Sequence, residues 1–431
     1  MEGFVIRGRC TEAVVYALQL DEIAQAQILE LCCQEFARDA HIRIMPDAHA
    51  GAGCVIGTTM AISDRIAPSL VGVDIGCGME AVKLCDMEAD LPRLDEVVRT
   101  RVPSGFAVRA RPHPFMKDVK NGFLKDLRCA GLVGLDRAQL DVGTLGGGNH
   151  FIELDRADGG GLWLVVHSGS RHTGLVVSEI YRRLAKAYCA GVPEGTLLDL
   201  FLSYASGSAK RDNLAKLTEA LTAAERTAER RHGRSVPADL SYLEGQLMSF
   251  YLQDMELMTR YADLNRRAIA TEIVEGMGLT DSVCDRFCTV HNFISRSDGV
   301  LRKGAVPAPA GERFLLPMNM RDGGLICIGK GKPRVELFRA ARRGAHHEPG
   351  RREAHVVALG LHGGDGRDLH DLRLARDAGR GPGRLQADGL HPPRHRAHRR
   401  GRRQAPARLQ LQSGKQINGS PESSCREKRS S

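Results

Sequence analysis

Val71-Gly-Val-Asp-Ile-Gly-Cys-Gly-Met79 sets a carboxylate, Asp74, and a thiol, Cys77, in a run with glycines at 72, 76 and 78. Glycine removes the Cβ that hinders tight irregular turns, so the run reads as a loop presenting metal ligands. Three histidines follow in comparable settings: His150 after Gly146-Gly-Gly-Asn149, His167 in Val165-Val-His-Ser-Gly-Ser-Arg171, and His291 in Val290-His-Asn292. Asp74, Cys77, His150, His167 and His291 together supply oxygen, sulfur and nitrogen donors for one or two divalent ions. Taken singly, Asp74 reads equally well as a capping aspartate, Cys77 as a buried thiol, and each histidine as a satisfied core residue. Their joint occurrence favours a metalloenzyme.

With 431 residues, 42% of them apolar, the chain can bury a sizeable core as one large domain or two. Its formal charge of +9 is unevenly spread. From Lys332 onward there are 23 basic against 10 acidic side chains, whereas residues 1–331 carry 38 basic and 42 acidic. The basic character belongs to the tail, so the whole-chain charge is no argument for nucleic-acid binding. Twelve cysteines at irregular spacing, with no Cys-x-x-Cys pair, do not read as a disulfide framework. The N-terminus lacks a signal-peptide pattern, and no apolar run approaches the roughly 18 residues of a membrane span. A reduced cytoplasmic setting without membrane association is the expectation.

Periodicity predicts short strands over 4–18, an amphipathic helix over Asp21–Ala37, and glycine-broken strands from Ile42 to Lys83. Helices are expected over Leu91–Arg101, Thr173–Ala190 and Leu214–Arg231, the last charged enough to face solvent, and over Tyr242–Met277. Residues 109–114 form a proline-containing loop and 191–209 a variable excursion. Leu162–His167, Val283–His291 and Leu325–Gly329 are strand candidates. The fold class is therefore α+β, mixed sheets with peripheral helices over residues 1–331. Residues 332–431 form a second region, rich in Arg, Gly and Pro with one aromatic, Phe338, which cannot bury enough apolar surface to order itself.

Several segments in order carry a resemblance. Met45-Pro-Asp-Ala-His-Ala-Gly-Ala-Gly53, Gly72–Gly78, Leu145–Glu153, Val166–Arg171, Tyr261-Ala-Asp-Leu-Asn-Arg266, Val290–Phe293, Arg302-Lys-Gly-Ala305 and Pro317–Asp322 are similar to the RtcB family of GTP-dependent RNA-splicing ligases, from about residue 3 to Gly331. The resemblance implies joining of an RNA 3′-phosphate or 2′,3′-cyclic phosphate to a 5′-hydroxyl in tRNA splicing or RNA repair, with GTP and manganese. It implies that Asp74, Cys77, His150, His167 and His291 hold two manganese ions. A guanylate pocket would involve Asn149, His150, Phe151, Ile152, Glu153, His291, Asn292 and the loop Pro317, Met318, Asn319 and Met320. RNA carrying the two ends is the implied partner, and an activating protein is left open. Thiolate and imidazole donors bind zinc more tightly than manganese, so ligand type alone does not settle the metal. Asp47 and His49 are expected to support the ligands. Arg171, Arg302 and Lys303 are candidates for phosphate contact or for structural roles. His41, His113, His172 and His232 carry no motif and are expected at the surface or in local hydrogen bonds.

The resemblance fails after Gly331. The family continues with Asn-x-x-Trp and Ser-Ala-Pro-His-Gly-Ala-Gly-Arg, whose histidine takes GMP covalently, but this chain has Ala341 at that place; His346 and His347 lack the motif. A one-base frameshift near codon 332 would account for the change. Without the nucleophile, metal binding without ligation is expected. The rival readings are a metal-dependent RNA phosphoesterase using water, and a non-catalytic RNA-binding protein whose arginine-rich tail tracks phosphates.

Overall fold

A computed structural model describes residues 3–85, 88–116, 123–158, 160–206, 212–228, 236–319 and 323–331, with the backbone of 339–340. Its first sheet runs β1 (Phe4–Arg7), β2 (Glu12–Val15), β3 (Ile42–His49), β4 (Ile56–Ala61), β10 (Val300–Lys303), β9 (Asn292–Ser295) in spatial order. All neighbours are antiparallel except β2 and β3. A parallel pair needs a crossover, and α1 (Glu22–Cys32) supplies it. Asp21 caps this helix, its Oδ1 accepting from the Ala24 amide at 2.7 Å. The single helix expected to Ala37 divides: α1 stops at Cys32 and a separate 3-10 turn, Glu35–Ala37, carries Phe36 and Ala37 into the core.

The second sheet is wholly antiparallel, in the order β6 (Phe151–Arg156), β7 (Leu162–Ser168), β5 (Gly78–Leu84), β8 (Val283–Val290). Every residue of β7 is buried. One face packs through Leu162, Leu164 and Val166 on α2 (Leu91–Arg101) and α7 (Gly245–Met277). The other packs through Trp163 and Val165 beneath Leu315 of β12 (Arg313–Asn319), which pairs with β13 (Gly323–Ile328). Burial on both faces is why Leu162–Val166 is a continuous apolar run rather than an alternating one. The 33-residue α7 spans two cores: Tyr251, Met255 and Met258 join the main cluster, while Ile269, Ala270 and Ile273 lie under the second sheet.

A helical layer of α4 (Arg171–Cys189), α5 (Glu194–Ala205) and α6 (Asn213–Thr227) covers the main core; α3 (Leu135–Asp141) and β11 (Ala305–Val306) complete the elements named here. Two expectations are corrected. Residues 191–209 contain α5, anchored by Leu197, Phe201 and Ala205. The charged segment from 214 does not merely face solvent, because Leu217 and Leu221, one turn apart, are buried. The region beyond Gly331, with the expected disorder, lies outside the described residues save for 339–340. Among the described residues no helix is long and apolar enough to cross a membrane.

Cysteine spacing also misled: Cys85, just beyond β5, and Cys284, near the start of β8, form a disulfide. The two residues are 199 positions apart, and the Cys85 amide donates to the Ser282 carbonyl at 2.9 Å, so strand pairing brings them together. Closing so long a loop restricts the unfolded chain. Cys284→Ser is expected to cost on the order of 2–4 kcal/mol under non-reducing conditions, and nothing in excess dithiothreitol, by thermal unfolding.

Candidate metal centre

Topology gathers the donors. Cys77 immediately precedes β5, His150 precedes β6, His167 is the penultimate residue of β7, and His291 follows β8. In an antiparallel sheet the starts of β5 and β6 lie at the same end as the finishes of β7 and β8. Gly78 is opposite both Ser168 and Val290, and Phe151 is opposite His167. Four strands thus deliver one donor each to one sheet end, and the loop before β5 adds Asp74.

The donor atoms converge. Cys77 Sγ lies 3.5 Å from His150 Nε2 and 3.3 Å from His167 Nε2. His167 Nε2 is 3.3 Å from His291 Nε2, and His150 Nε2 is 2.8 Å from Asp74 Oδ2. Two triads result, Asp74–Cys77–His150 and Cys77–His167–His291, with Cys77 common to both. Ligands about 2.1–2.3 Å from one tetrahedral ion stand about 3.4–3.8 Å apart, close to these separations. The orientation of the rings fits too. His167 Nδ1 faces the Asn149 carbonyl at 3.0 Å, which calls for Nδ1–H and leaves the Nε2 lone pair directed at the sulfur and at His291. His150 Nδ1 has the Leu145 carbonyl at 3.0 Å and the Arg171 guanidinium at 3.1 Å; it can donate to the first or accept from the second, not both. Lone pairs crowded this closely in a buried site call for a cation.

Burial and mutual charge shape the cluster's electrostatics. Burial pushes Cys77 well above the usual thiol range, and the Asp74 charge adds to it. Burial also drives His167 well below the usual imidazole range, helped by His291 and His150. For Asp74 burial acts upward, yet the hydrogen bond and charge of His150 prevail and hold the carboxyl well below its ordinary range.

The loops are held from behind by α7. Asn265 Oδ1 accepts from Gly143 and Thr144 amides at 2.8 and 3.2 Å, and its Nδ2 reaches Ser168 Oγ at 3.0 Å. Fully buried Arg266 donates to the carbonyls of Gly76 at 2.7 Å and Ser168 at 3.1 Å. Gly76 has φ +72°, and a Cβ there would lie 2.7 Å from the Thr259 backbone, so only glycine lets the ligand loop approach α7. Asn265 and Arg266 close the run Tyr261–Arg266, and the sequence signal for their bracing role is a polar pair amid helical apolar positions. Arg266→Ala is expected to destabilise the chain by roughly 3–5 kcal/mol in denaturant unfolding, since it orphans two buried carbonyls and leaves a cavity.

Other expected residues fall differently. Asn149 is exposed and half-buried Phe151 sits against the His167 ring at 5.0 Å, both beside the cluster. The Ile152 side chain is fully buried in the core on the opposite face, so only its main chain can meet a ligand. Burial raises the carboxyls of Glu153 and Asp155, which face each other on β6. Asn292 is committed to backbone, donating to the Asp74 carbonyl at 3.3 Å and accepting from the Gly304 amide at 2.8 Å. Pro317 and Met318 are half-buried and Asn319 exposed at the end of β12; Met320 lies outside the described residues, as do Ala341, His346, His347 and His232.

Arg302 and Lys303 are structural, not phosphate-facing: Arg302 is buried beneath Phe293 and paired with Asp298, and Lys303 donates to the Ala52 and Ser69 carbonyls. Of the histidines expected at the surface or in local hydrogen bonds, His41 and His172 are exposed, and buried His113 accepts from the Phe115 amide at 3.2 Å and lies 3.4 Å from Glu272. The half-buried His49 turns its Nδ1 to the Asp47 carbonyl at 3.1 Å. A third donor group, Glu80–Asp263–Cys288, already holds positive charge, with Arg286 3.2 Å from Glu80 and Arg266 3.3 Å from Cys288.

The family described as tRNA-splicing ligase RtcB matches residues 27–359, starting later and running further than the motifs suggested. The RNA-splicing ligase RtcB of Escherichia coli K12 is 28% identical over 344 residues, covering 71% of this chain and 73% of the relative. RNA-splicing ligase RtcB2 from a second E. coli strain is 33% identical over 181 residues, 35% of this chain and 40% of the relative. The tRNA-splicing ligase RtcB of Thermococcus kodakarensis is 30% identical over 190 residues, 33% and 39% of the respective chains.

Proposed function

This chain belongs to the RtcB family of RNA-splicing ligases, and on that premise we propose that its donor cluster holds two divalent ions, manganese in the working enzyme, for joining an RNA 3′-phosphate or 2′,3′-cyclic phosphate to a 5′-hydroxyl. The observation that carries the reading is the pair of donor triads sharing Cys77 at one sheet end. Bound ions would neutralise phosphate charge and align attacking and leaving oxygens. The protein's part is to orient the imidazoles through the Leu145 and Asn149 carbonyls and to brace the loops through Asn265 and Arg266. Exposed Asn149 and half-buried Phe151, beside the cluster, would line the approach of a guanine nucleotide, and Pro317–Asn319 at the end of β12 would add to it. A cytoplasmic role in tRNA splicing or RNA repair accords with this chemistry.

The chain as written lacks the family's guanylylated histidine, and the genetic code indicates why. Read one base later, the codons available to Phe338-Arg-Ala-Ala-Arg-Arg-Gly-Ala-His346 permit Ser-Ala-Pro-His-Gly-Ala-Gly-Arg in succession. Lys332 to Glu336 likewise permit Asn-x-x-Trp, and the histidine codon begins inside that of Ala341. Each shifted codon admits only a handful of amino acids, so agreement at every motif position supports a lost reading frame and a domain that continues past Gly331. The test is to sequence the gene and express it with the frame restored. RNA with 3′-phosphate and 5′-hydroxyl ends should be joined by the restored protein and left unjoined by the chain as written. Failure of the restored protein to join them with GTP and Mn²⁺ would remove the ligase reading.

A further inference from the structure

Phe106 is 92% exposed, far beyond Phe4 at 46%, the other exposed phenylalanine among the described residues. An aromatic ring left in water is unfavourable, and here it stands on a well-anchored turn. The Ala107 amide donates to the Ser104 carbonyl at 3.1 Å, the Gly105 amide to Gly146 at 3.0 Å, and the Leu145 amide to Pro103 at 2.8 Å. Leu145 is the residue whose carbonyl faces His150 Nδ1, so the turn is clipped to the loop that orients a metal ligand. The local sequence is basic: residues 101–113 contain three arginines, one histidine and no acid. Arg101, Arg109 and His113 share one carboxylate, Glu272, at 3.9, 2.6 and 3.4 Å, and Arg111 is exposed.

An exposed ring on a turn of basic sequence, hydrogen-bonded to the loop that orients a candidate metal ligand, matches how single strands are gripped, with bases stacked on aromatics and phosphates held by cations. We propose that Phe106 is the platform on which the terminal base of the single-stranded RNA end stacks, placing the adjoining phosphate at the metal centre. The proposal rests on the RNA-joining reading above. Phe106 is thereby a positioning residue that favours unpaired over duplexed ends.

The test uses the full chain loaded with Mn²⁺ and a 3′-phosphorylated RNA oligonucleotide carrying 2-aminopurine as its last base. Wild-type binding should quench the fluorophore. Phe106→Ala should abolish the quench and weaken binding about 5- to 100-fold, and Phe106→Trp should restore both. With an abasic last nucleotide the wild type and Phe106→Ala should bind alike. Equal affinity and quench for wild type and Phe106→Ala on the intact oligonucleotide would overturn the proposal. If Mn²⁺ loads but the wild type binds no RNA, the RNA-joining reading falls first and the platform with it.

Discussion

Cys77→Ser is expected to abolish occupancy of both metal positions, lowering affinity by well over the 10- to 100-fold typical of losing a residue that merely supports a ligand. Sulfur is the atom common to both triads, 3.5 Å from His150 Nε2 and 3.3 Å from His167 Nε2, and a serine hydroxyl is shorter and does not ionise near neutral pH. The single-triad variants should behave differently. Asp74→Asn should weaken one ion and His291→Ala the other, each leaving about one equivalent bound. Equilibrium dialysis with Mn²⁺ and the thiolate charge-transfer band of a Co²⁺-loaded sample read these outcomes. Two equivalents retained by Cys77→Ser, with the band unchanged, would show that the sulfur bridges nothing.

The second large effect concerns covalent chemistry. Incubated with α-labelled GTP and Mn²⁺, the chain as written should take up no label, because residues 329–347 offer no histidine in the nucleophile motif. The frame-restored protein should become labelled, and replacing its histidine at the codon beginning within Ala341 should return labelling to background, a loss of several orders of magnitude. Label on the unrestored chain would place a nucleophile elsewhere, with His346 and His347 the first to substitute. Release of inorganic phosphate from 3′-phosphorylated RNA without GTP would instead mark a phosphoesterase that uses water.

Local sequence carried much of the fold because its signals are short-range. Leu91–Arg101 has helical apolar spacing and is preceded by Asp90, whose Oδ1 accepts from the Arg93 amide at 3.0 Å, and the helix begins and ends where expected. Leu162–His167 is long enough and apolar enough to mark a buried strand. The helix at 194–205 escapes a periodicity reading because Leu197, Leu198, Leu200, Phe201 and Leu202 run almost without interruption instead of at helical spacing. The disulfide was missed because spacing says nothing of a contact made through strand pairing across 199 residues.

The chain alone singled out Asp74, Cys77, His150, His167 and His291 as candidate donors, because each stands in or beside a glycine-rich or valine-rich run that can present a ligand at a turn or strand end. Only the folded protein decided that they meet, and how they divide. An antiparallel register puts two strand starts and two strand ends at one edge, and that geometry makes Cys77 shared. The tertiary structure also chose between the two roles open to Arg302 and Lys303, because a charge's partner depends on which surface it is buried against rather than on its neighbours in sequence.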